Sequence, residues 1–128
     1  MSKPQFYYCQ VCGNIIEKVS DSGNDLECCM RTMVALEPGI TDGSHEFHFP
    51  ICKVHDKVAT ITVGENDHPM EKDHYIEWIE IVTDRGVARK YLEPGMAPTV
   101  HFTLCDDERI CAVYAYCNRH KLWAAKCN

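Results

Sequence analysis

Two things are missing from this sequence of 128 residues: long apolar runs and an excess of basic charge. No stretch approaches the roughly 18 consecutive apolar residues that suggest a membrane-crossing helix. The opening residues, MSKPQFYYCQ, hold no apolar segment of the kind a secretory signal uses. Lys and Arg number 13 against 19 Asp and Glu, a formal net charge of −6. A protein that grips a phosphate backbone needs clustered Lys and Arg, so nucleic acid is not an expected partner, and neither is a membrane. Sustained 3.6-residue periodicity is also absent, and Pro or Gly interrupts every long candidate helix. The length disfavours separate cofactor and substrate domains and leaves room for one domain, or one domain with a small appendage.

Cysteine and histidine, by contrast, are plentiful, at nine and seven residues. An odd cysteine count cannot pair completely within one chain. With no export signal the thiols are expected in a reducing cytoplasm, where cysteine clusters more often mean metal or redox chemistry. The two residue types are segregated along the chain. Cys9, Cys12, Cys28 and Cys29 come first, whereas the histidines begin at His45 and run to His120.

Residues 1–37 are too few to bury a self-sufficient core, because segments below roughly 40 residues usually need a metal, disulfides or a partner. Asp21-Ser22-Gly23-Asn24-Asp25 reads as a turn between two short strands, and Pro38-Gly39 and Asp42-Gly43 mark a connector. Residues 38–128 then form a second domain with a β pattern. Ala59, Ile61 and Val63 share one face, Val100, Phe102 and Leu104 alternate likewise, and Val113, Ala115 and Cys117 oppose Tyr114 and Tyr116. In Tyr75 to Val82 the apolar face changes between Trp78 and Ile79, which predicts a bulge or a strand buried on both faces. Short strands at this spacing fit a mainly β chain whose larger part is an immunoglobulin-like β-sandwich of about seven strands.

Cys9-x-x-Cys12 followed by Gly13 is a metal knuckle, and Cys28-Cys29 can complete a tetrahedral four-thiolate site. On spacing alone zinc and iron are equal candidates, and a zinc ribbon that merely staples a small fold is the plainer one. Adjacent cysteines shift the balance, since a zinc ribbon normally offers a second C-x-x-C. The pattern resembles desulforedoxin, a one-iron relative of rubredoxin.

The second region offers His48, His68, His74 and the compact pair Cys117-x-x-His120. The blocks E-F-H-F-P (Glu46 to Pro50), T-V-G-x-x-x-H-P-M-E (Thr62 to Glu71), H-Y-I-E-W-I-E (His74 to Glu80) and C-N-R-H (Cys117 to His120) resemble the superoxide reductase family. With the cysteine block in front, the whole chain resembles its two-iron form, the desulfoferrodoxin family.

That resemblance implies two non-haem irons per chain, Fe(Cys)4 and Fe(His)4(Cys). Cys9, Cys12, Cys28 and Cys29 would hold the first. His48, His68, His74 and His120 would hold the second in a plane, with Cys117 on the axis and the opposite axial position open. Glu46 matches a glutamate expected at that position in the resting ferric state. The implied reaction reduces superoxide to hydrogen peroxide without producing dioxygen, with rubredoxin or a similar electron donor, in a cytoplasmic homodimer. Two positions depart from the family: Phe47 stands where a substrate-guiding lysine is usual, and Lys121 replaces the glycine that usually follows the last histidine. His45, His55 and His101 match no ligand position. Cys52, Cys105, Cys111 and Cys127 have no metal role; Cys105 and Cys111 flank a turn without needing to face each other and are expected as free thiols. Two other readings compete: a zinc-stabilised binding module, and a non-catalytic electron carrier.

Overall fold

Alternating β-branched and aromatic residues with Gly or Asp at the turns leave the chain little choice but strands, and among the described residues there is no helix. The computed structural model describes residues 5–39, 48–64 and 67–127. It divides into two compact units, Met1–Glu37 and Pro38–Asn128.

In the first unit, β1 (Gln5–Tyr8) pairs antiparallel with β2 (Ile15–Lys18) and with β5 (Val34–Ala35). Between them β3 (Glu27–Cys28) and β4 (Arg31–Thr32) form a minimal hairpin. The expected turn at 21–25 is present: Asp21 accepts hydrogen bonds from the Gly23 N–H and the Lys18 ammonium, and Gly23 takes the left-handed φ of 86°. Buried apolar residues here are few, namely Phe6, Cys9, Met33 and Leu36. So small a core gains most of its stability from whatever its thiols bind.

The second unit is a sandwich of seven strands. One sheet has the order β10-β7-β6, from β6 (Pro50–His55), β7 (Val58–Val63) and β10 (Thr99–Thr103). The other has the order β12-β11-β8-β9, from β8 (Ile76–Thr83), β9 (Val87–Tyr91), β11 (Ile110–Cys117) and β12 (Lys121–Ala125). The alternating sets meet between the sheets: Ala59, Ile61, Val63, Ile76, Ile79, Val113, Ala115 and Cys117 are all fully buried. Burying each branched side chain stabilises the fold by about 1.5–3 kcal/mol.

Strand β8 has both predicted features. It is buried on both faces, and its register with β11 shifts where Tyr116 faces Trp78 and Cys117 faces Ile76, so Glu77 is the extra residue. On this strand Glu80 is fully buried and held by the Arg89 guanidinium of β9 at 2.7 Å.

The free thiols expected at Cys105 and Cys111 are present, and the two other cysteines without a metal role are paired with each other. Cys52 on β6 and Cys127, just past β12, form a disulfide, whereas Cys105 and Cys111 are free and exposed. The partners are 75 residues apart in sequence with Cα atoms 4.8 Å apart. Only the folding of the two sheets brings these edges together.

Candidate metal centres

The first cluster is built by two turns. After β1 the chain folds back through Cys9-Gln10-Val11-Cys12-Gly13, where Gly13 at φ 82° lets its N–H reach the Cys9 carbonyl at 2.9 Å. The Cys12 N–H then points at the Cys9 sulfur, 3.5 Å away. The β3–β4 hairpin supplies the other pair. Its two turn residues, Cys29 and Met30, both have left-handed φ (53° and 62°), although neither is glycine. Such backbone costs roughly 1–2 kcal/mol per residue and persists where the surroundings enforce it.

All four sulfurs lie within 4.8 Å of one another. Cys12 and Cys28 are 3.6 Å apart and Cys28 and Cys29 are 3.9 Å apart. A tetrahedron with metal–sulfur arms of about 2.3 Å has edges of about 3.8 Å, so the spacing fits one metal ion. Electrostatics agree. The Cys12 N–H brings the Cys9 thiol down to about 6, while the sulfurs of Cys12 and Cys9 push Cys29 up to about 12. Four thiolates this close need a cation between them to ionise together.

The second cluster sits at one end of the sandwich, where several strands begin or end. His48 lies two residues before β6 and is buried. His68 follows β7, its N–H bonded to the Val63 carbonyl at 3.1 Å. His74 precedes β8, and reciprocal backbone bonds with Glu71 at 2.9 and 3.1 Å close a tight turn around it. Cys117 ends β11, and His120 completes the turn into β12.

The four imidazoles form a closed circuit. Neighbouring ring centroids are 4.9 Å apart for His48 and His68, 4.8 Å for His68 and His74, 5.2 Å for His74 and His120, and 4.6 Å for His120 and His48. Adjacent rings are inclined by 60–81°; three of the pairs meet edge to face and His48–His68 is tilted. His48 Nε2 and His120 Nδ1 are 2.9 Å apart, and the Cys117 sulfur lies 3.8 Å from that same Nδ1.

Ring orientation shows where the lone pairs point. His68 donates its Nδ1–H to the Pro69 carbonyl at 2.7 Å, leaving Nε2 as the acceptor nitrogen. That Nε2, and the Nε2 of His74, are buried with no hydrogen-bond partner among the described residues. Burial brings His68 down to about 4, with the neighbouring imidazoles adding to the effect, so it stays neutral. His74 is also lowered, first by burial and then by His120 and Arg119. Burial raises the Cys117 thiol, opposed by the backbone N–H groups of His120 and Arg119 that face its sulfur. Neutral imidazoles with orphaned nitrogens beside a buried thiol are the donor set of a borderline-soft metal such as iron.

Family models for desulfoferrodoxin match residues 40–126, and for its N-terminal domain residues 2–36. The chain belongs to the desulfoferrodoxin family. It is 44% identical over 119 residues to a desulfoferrodoxin homolog of Archaeoglobus fulgidus, covering 93% of this chain and 94% of the relative. It is 39% identical over 122 residues to the desulfoferrodoxin of Nitratidesulfovibrio vulgaris, covering 95% of each. Among solved structures, the superoxide reductase of Treponema pallidum superposes with a TM-score of 0.81 at 30% identity, covering 97% of this chain and 98% of that one. The 1Fe superoxide reductase of Giardia intestinalis matches 62% of this chain and 95% of its own length, at a TM-score of 0.53 and 30% identity. As a desulfoferrodoxin, the chain carries the donor sets of two non-haem iron centres, Fe(Cys)4 and Fe(His)4(Cys).

Of the residues singled out from sequence, Cys9, Cys12, Cys28 and Cys29 come together, as do His48, His74, Cys117 and His120 with ligand atoms within 4.8 Å of one another, and the His68 ring adjoins those of His48 and His74. Glu46, Phe47 and His45 lie outside the described residues. His55 is exposed, and His101 bonds the Thr60 hydroxyl at 3.0 Å, away from both clusters. Lys121 takes a left-handed φ of 65°, a backbone region that favours glycine.

Sequence reasoning missed the supports around these donors. Trp123 stacks on His48 (centroids 4.5 Å apart, planes 12° apart) and donates its indole N–H to the His120 carbonyl at 3.0 Å. Asn118 accepts from the Tyr75 N–H at 2.9 Å and donates to the Asp73 carbonyl at 3.1 Å, clamping the His74 turn to the Cys117 turn. Arg119 reinforces it with bonds to the Asp73 carbonyl and carboxylate, both 3.1 Å. Their proximity in sequence to the ligands was the available signal.

Proposed function

We propose that His48, His68, His74, His120 and Cys117 hold the catalytic iron of a superoxide reductase, and that Cys9, Cys12, Cys28 and Cys29 hold a second iron. On this reading residues 1–37 are a desulforedoxin-like Fe(Cys)4 domain and residues 38–128 the superoxide reductase β-sandwich. The observation that carries it is the closed circuit of four steeply inclined imidazoles with the Cys117 sulfur beside His120. Iron held by that donor set would supply the one electron that superoxide needs, together with two protons, to become hydrogen peroxide.

The chain's own groups prepare that chemistry. The Pro69 carbonyl fixes the tautomer and orientation of His68, and Trp123 holds His48 and His120 from the side. The N–H groups of Arg119 and His120 stabilise the Cys117 thiolate and moderate the electron density it donates. Asn118 and Arg119 keep the His74 turn in register with them. The family resemblance gives Glu46 the role of the carboxylate of the resting ferric state. Superoxide is the substrate, rubredoxin or a similar protein the electron donor, and a cytoplasmic homodimer the working form. The family resemblance and the number of ionisable thiols support that setting. Among the described residues no helix is long and apolar enough to cross a membrane.

Iron quantitation with superoxide-dependent oxidation of the reduced protein tests the reading: two irons per chain and stoichiometric oxidation are expected. Cys117→Ser is expected to abolish the thiolate-to-iron charge-transfer colour of the oxidised protein. A band that persists in the variant overturns the ligand assignment.

A further inference from the structure

Strands β6 and β12 belong to different sheets and are the edge strands that face each other, with no backbone ladder between them among the described residues. Each continues from a metal-site histidine: His48 precedes β6 and His120 precedes β12. At the head of this two-strand frame the two imidazoles lie 2.9 Å apart. Farther along, Cys52 within β6 and Cys127 just past the end of β12 are joined. The disulfide is therefore the covalent closure of an edge that hydrogen bonding leaves open. Cys52 faces the core at 5% exposure, whereas Cys127 is only partly buried. Cysteine pairs in a reducing compartment are seldom permanent disulfides; those that form there are usually transient and redox-active.

We infer that Cys52 and Cys127 are a peroxide-oxidised thiol pair whose disulfide locks β6 to β12 and so holds His48 beside His120. The inference rests on the proposed function for the source of its oxidant, the hydrogen peroxide that reaction releases, for the reducing compartment, and for His48 and His120 as iron ligands; the disulfide mapping below does not depend on the iron site. The more accessible Cys127 thiolate attacks one peroxide oxygen; an S–O bond forms, the O–O bond breaks, and hydroxide leaves as water after protonation. The Cys52 thiolate then attacks the Cys127 sulfur; the S–S bond forms and a second hydroxide leaves as water. Two thiols and one peroxide give one disulfide and two waters, with two electrons passing from sulfur to oxygen. The oxidised form is the one with the tighter ligand frame, so the product of turnover strengthens the site that makes it. Cys105 and Cys111, exposed and unpaired, provide an internal comparison.

The test uses the full-length, iron-loaded chain, reduced with a phosphine and then treated with added hydrogen peroxide, so that loss of superoxide activity cannot mimic failure. Alkylation and non-reducing peptide mapping are expected to show Cys52 joined to Cys127 after peroxide, with Cys105 and Cys111 alkylated throughout. Iron release to a chelator, followed by decay of the thiolate-to-iron colour, is expected to be about tenfold faster in the phosphine-reduced protein and in Cys127→Ala than in the oxidised parent, the effect usual for loss of an outer-shell support. Peroxide that leaves Cys52 and Cys127 alkylatable, or that joins either to Cys105 or Cys111, overturns the assignment. Release rates equal within about twofold in all three forms overturn the link to the iron site.

Discussion

Gly39→Ala is a one-methyl perturbation whose effect should reach the histidine cluster through a single side chain. The Gly39 N–H donates to the Leu122 carbonyl at 2.7 Å, and its backbone is not left-handed, so alanine meets no conformational penalty. A Cβ there would stand 2.9 Å from both Cη2 and Cζ3 of Trp123 and 3.1 Å from Cε3. Three near-equal distances to consecutive ring atoms place the methyl over the face of the six-membered ring. Restoring ordinary contact, which begins at 3.4 Å, requires a retreat of about 0.5 Å along the ring normal. Trp123 is 2% exposed, stacked on His48, in edge contact with Phe49 and bonded to the His120 carbonyl, so it cannot swing aside. Overpacking of this kind costs about 1–3 kcal/mol. At roughly 4–8 °C per kcal/mol for a domain of this size, a 2 kcal/mol cost lowers Tm by about 8–16 °C. Calorimetry of iron-loaded parent and variant measures it, and a cycle with Trp123→Leu isolates the contact: in the leucine background Gly39→Ala should cost less than about 0.5 kcal/mol. A variant melting within about 1 °C of the parent, or equal costs in the two backgrounds, would refute the reasoning.

Glu108 accepts the Cys105 N–H at 3.0 Å and the Thr83 hydroxyl at 2.6 Å, and these bonds, chiefly the first, hold its carboxyl below the usual carboxylate range. A depressed folded-state value means stability present above the unfolded value and lost as pH falls through the folded one. Glu108→Gln should therefore lower Tm at neutral pH, with the gap to the parent closing as pH falls through the depressed folded-state value; a gap independent of pH contradicts this. Asp73→Asn leaves the Arg119 charge beside His74 and Cys117 uncompensated, and azide affinity at low ionic strength should rise about two- to fivefold and revert in high salt. Unchanged or weaker binding by visible titration would contradict it. Phe47→Lys restores a guiding charge worth roughly 1 kcal/mol, so stopped-flow superoxide consumption should be several-fold faster at low salt; an unchanged or slower rate counts against it.

Strand periodicity carried most of the larger unit, because a side chain that points inward every second residue writes burial directly into the sequence. Ala59, Ile61 and Val63 are read this way without help from the rest of the chain. Metal ligands were legible for a different reason: Cys9 with Cys12, and Cys117 with His120, are each one turn apart, so local geometry alone nearly brings them together. Non-local chemistry stayed hidden. Cys52 looks like any inward strand residue until β12 is laid beside β6. Glu80 sits in an apolar run as though misplaced, and its burial makes sense only with Arg89 on the neighbouring strand. The edge strand β9 escaped notice because all five of its residues are exposed and no alternation remains to be read.

The net charge of −6 can now be set against where the charges stand. A superoxide anion approaching His48, His68, His74 and His120 meets Arg119, whose charge is felt at both His74 and Cys117. Asp73, paired with Arg119 at 3.1 Å, and Glu71 act in the opposite sense at His74, so the rim is close to neutral. Neutral imidazoles and a single thiolate leave a divalent cation with one net positive charge. At physiological ionic strength the screening length is about 8 Å, so the distant acidic residues that make up the total are largely invisible from the site. Within that radius the metal's residual charge and the N–H groups around Cys117 outweigh them. The acidic surface then sets how often the anion approaches, and the donor set decides whether it is held.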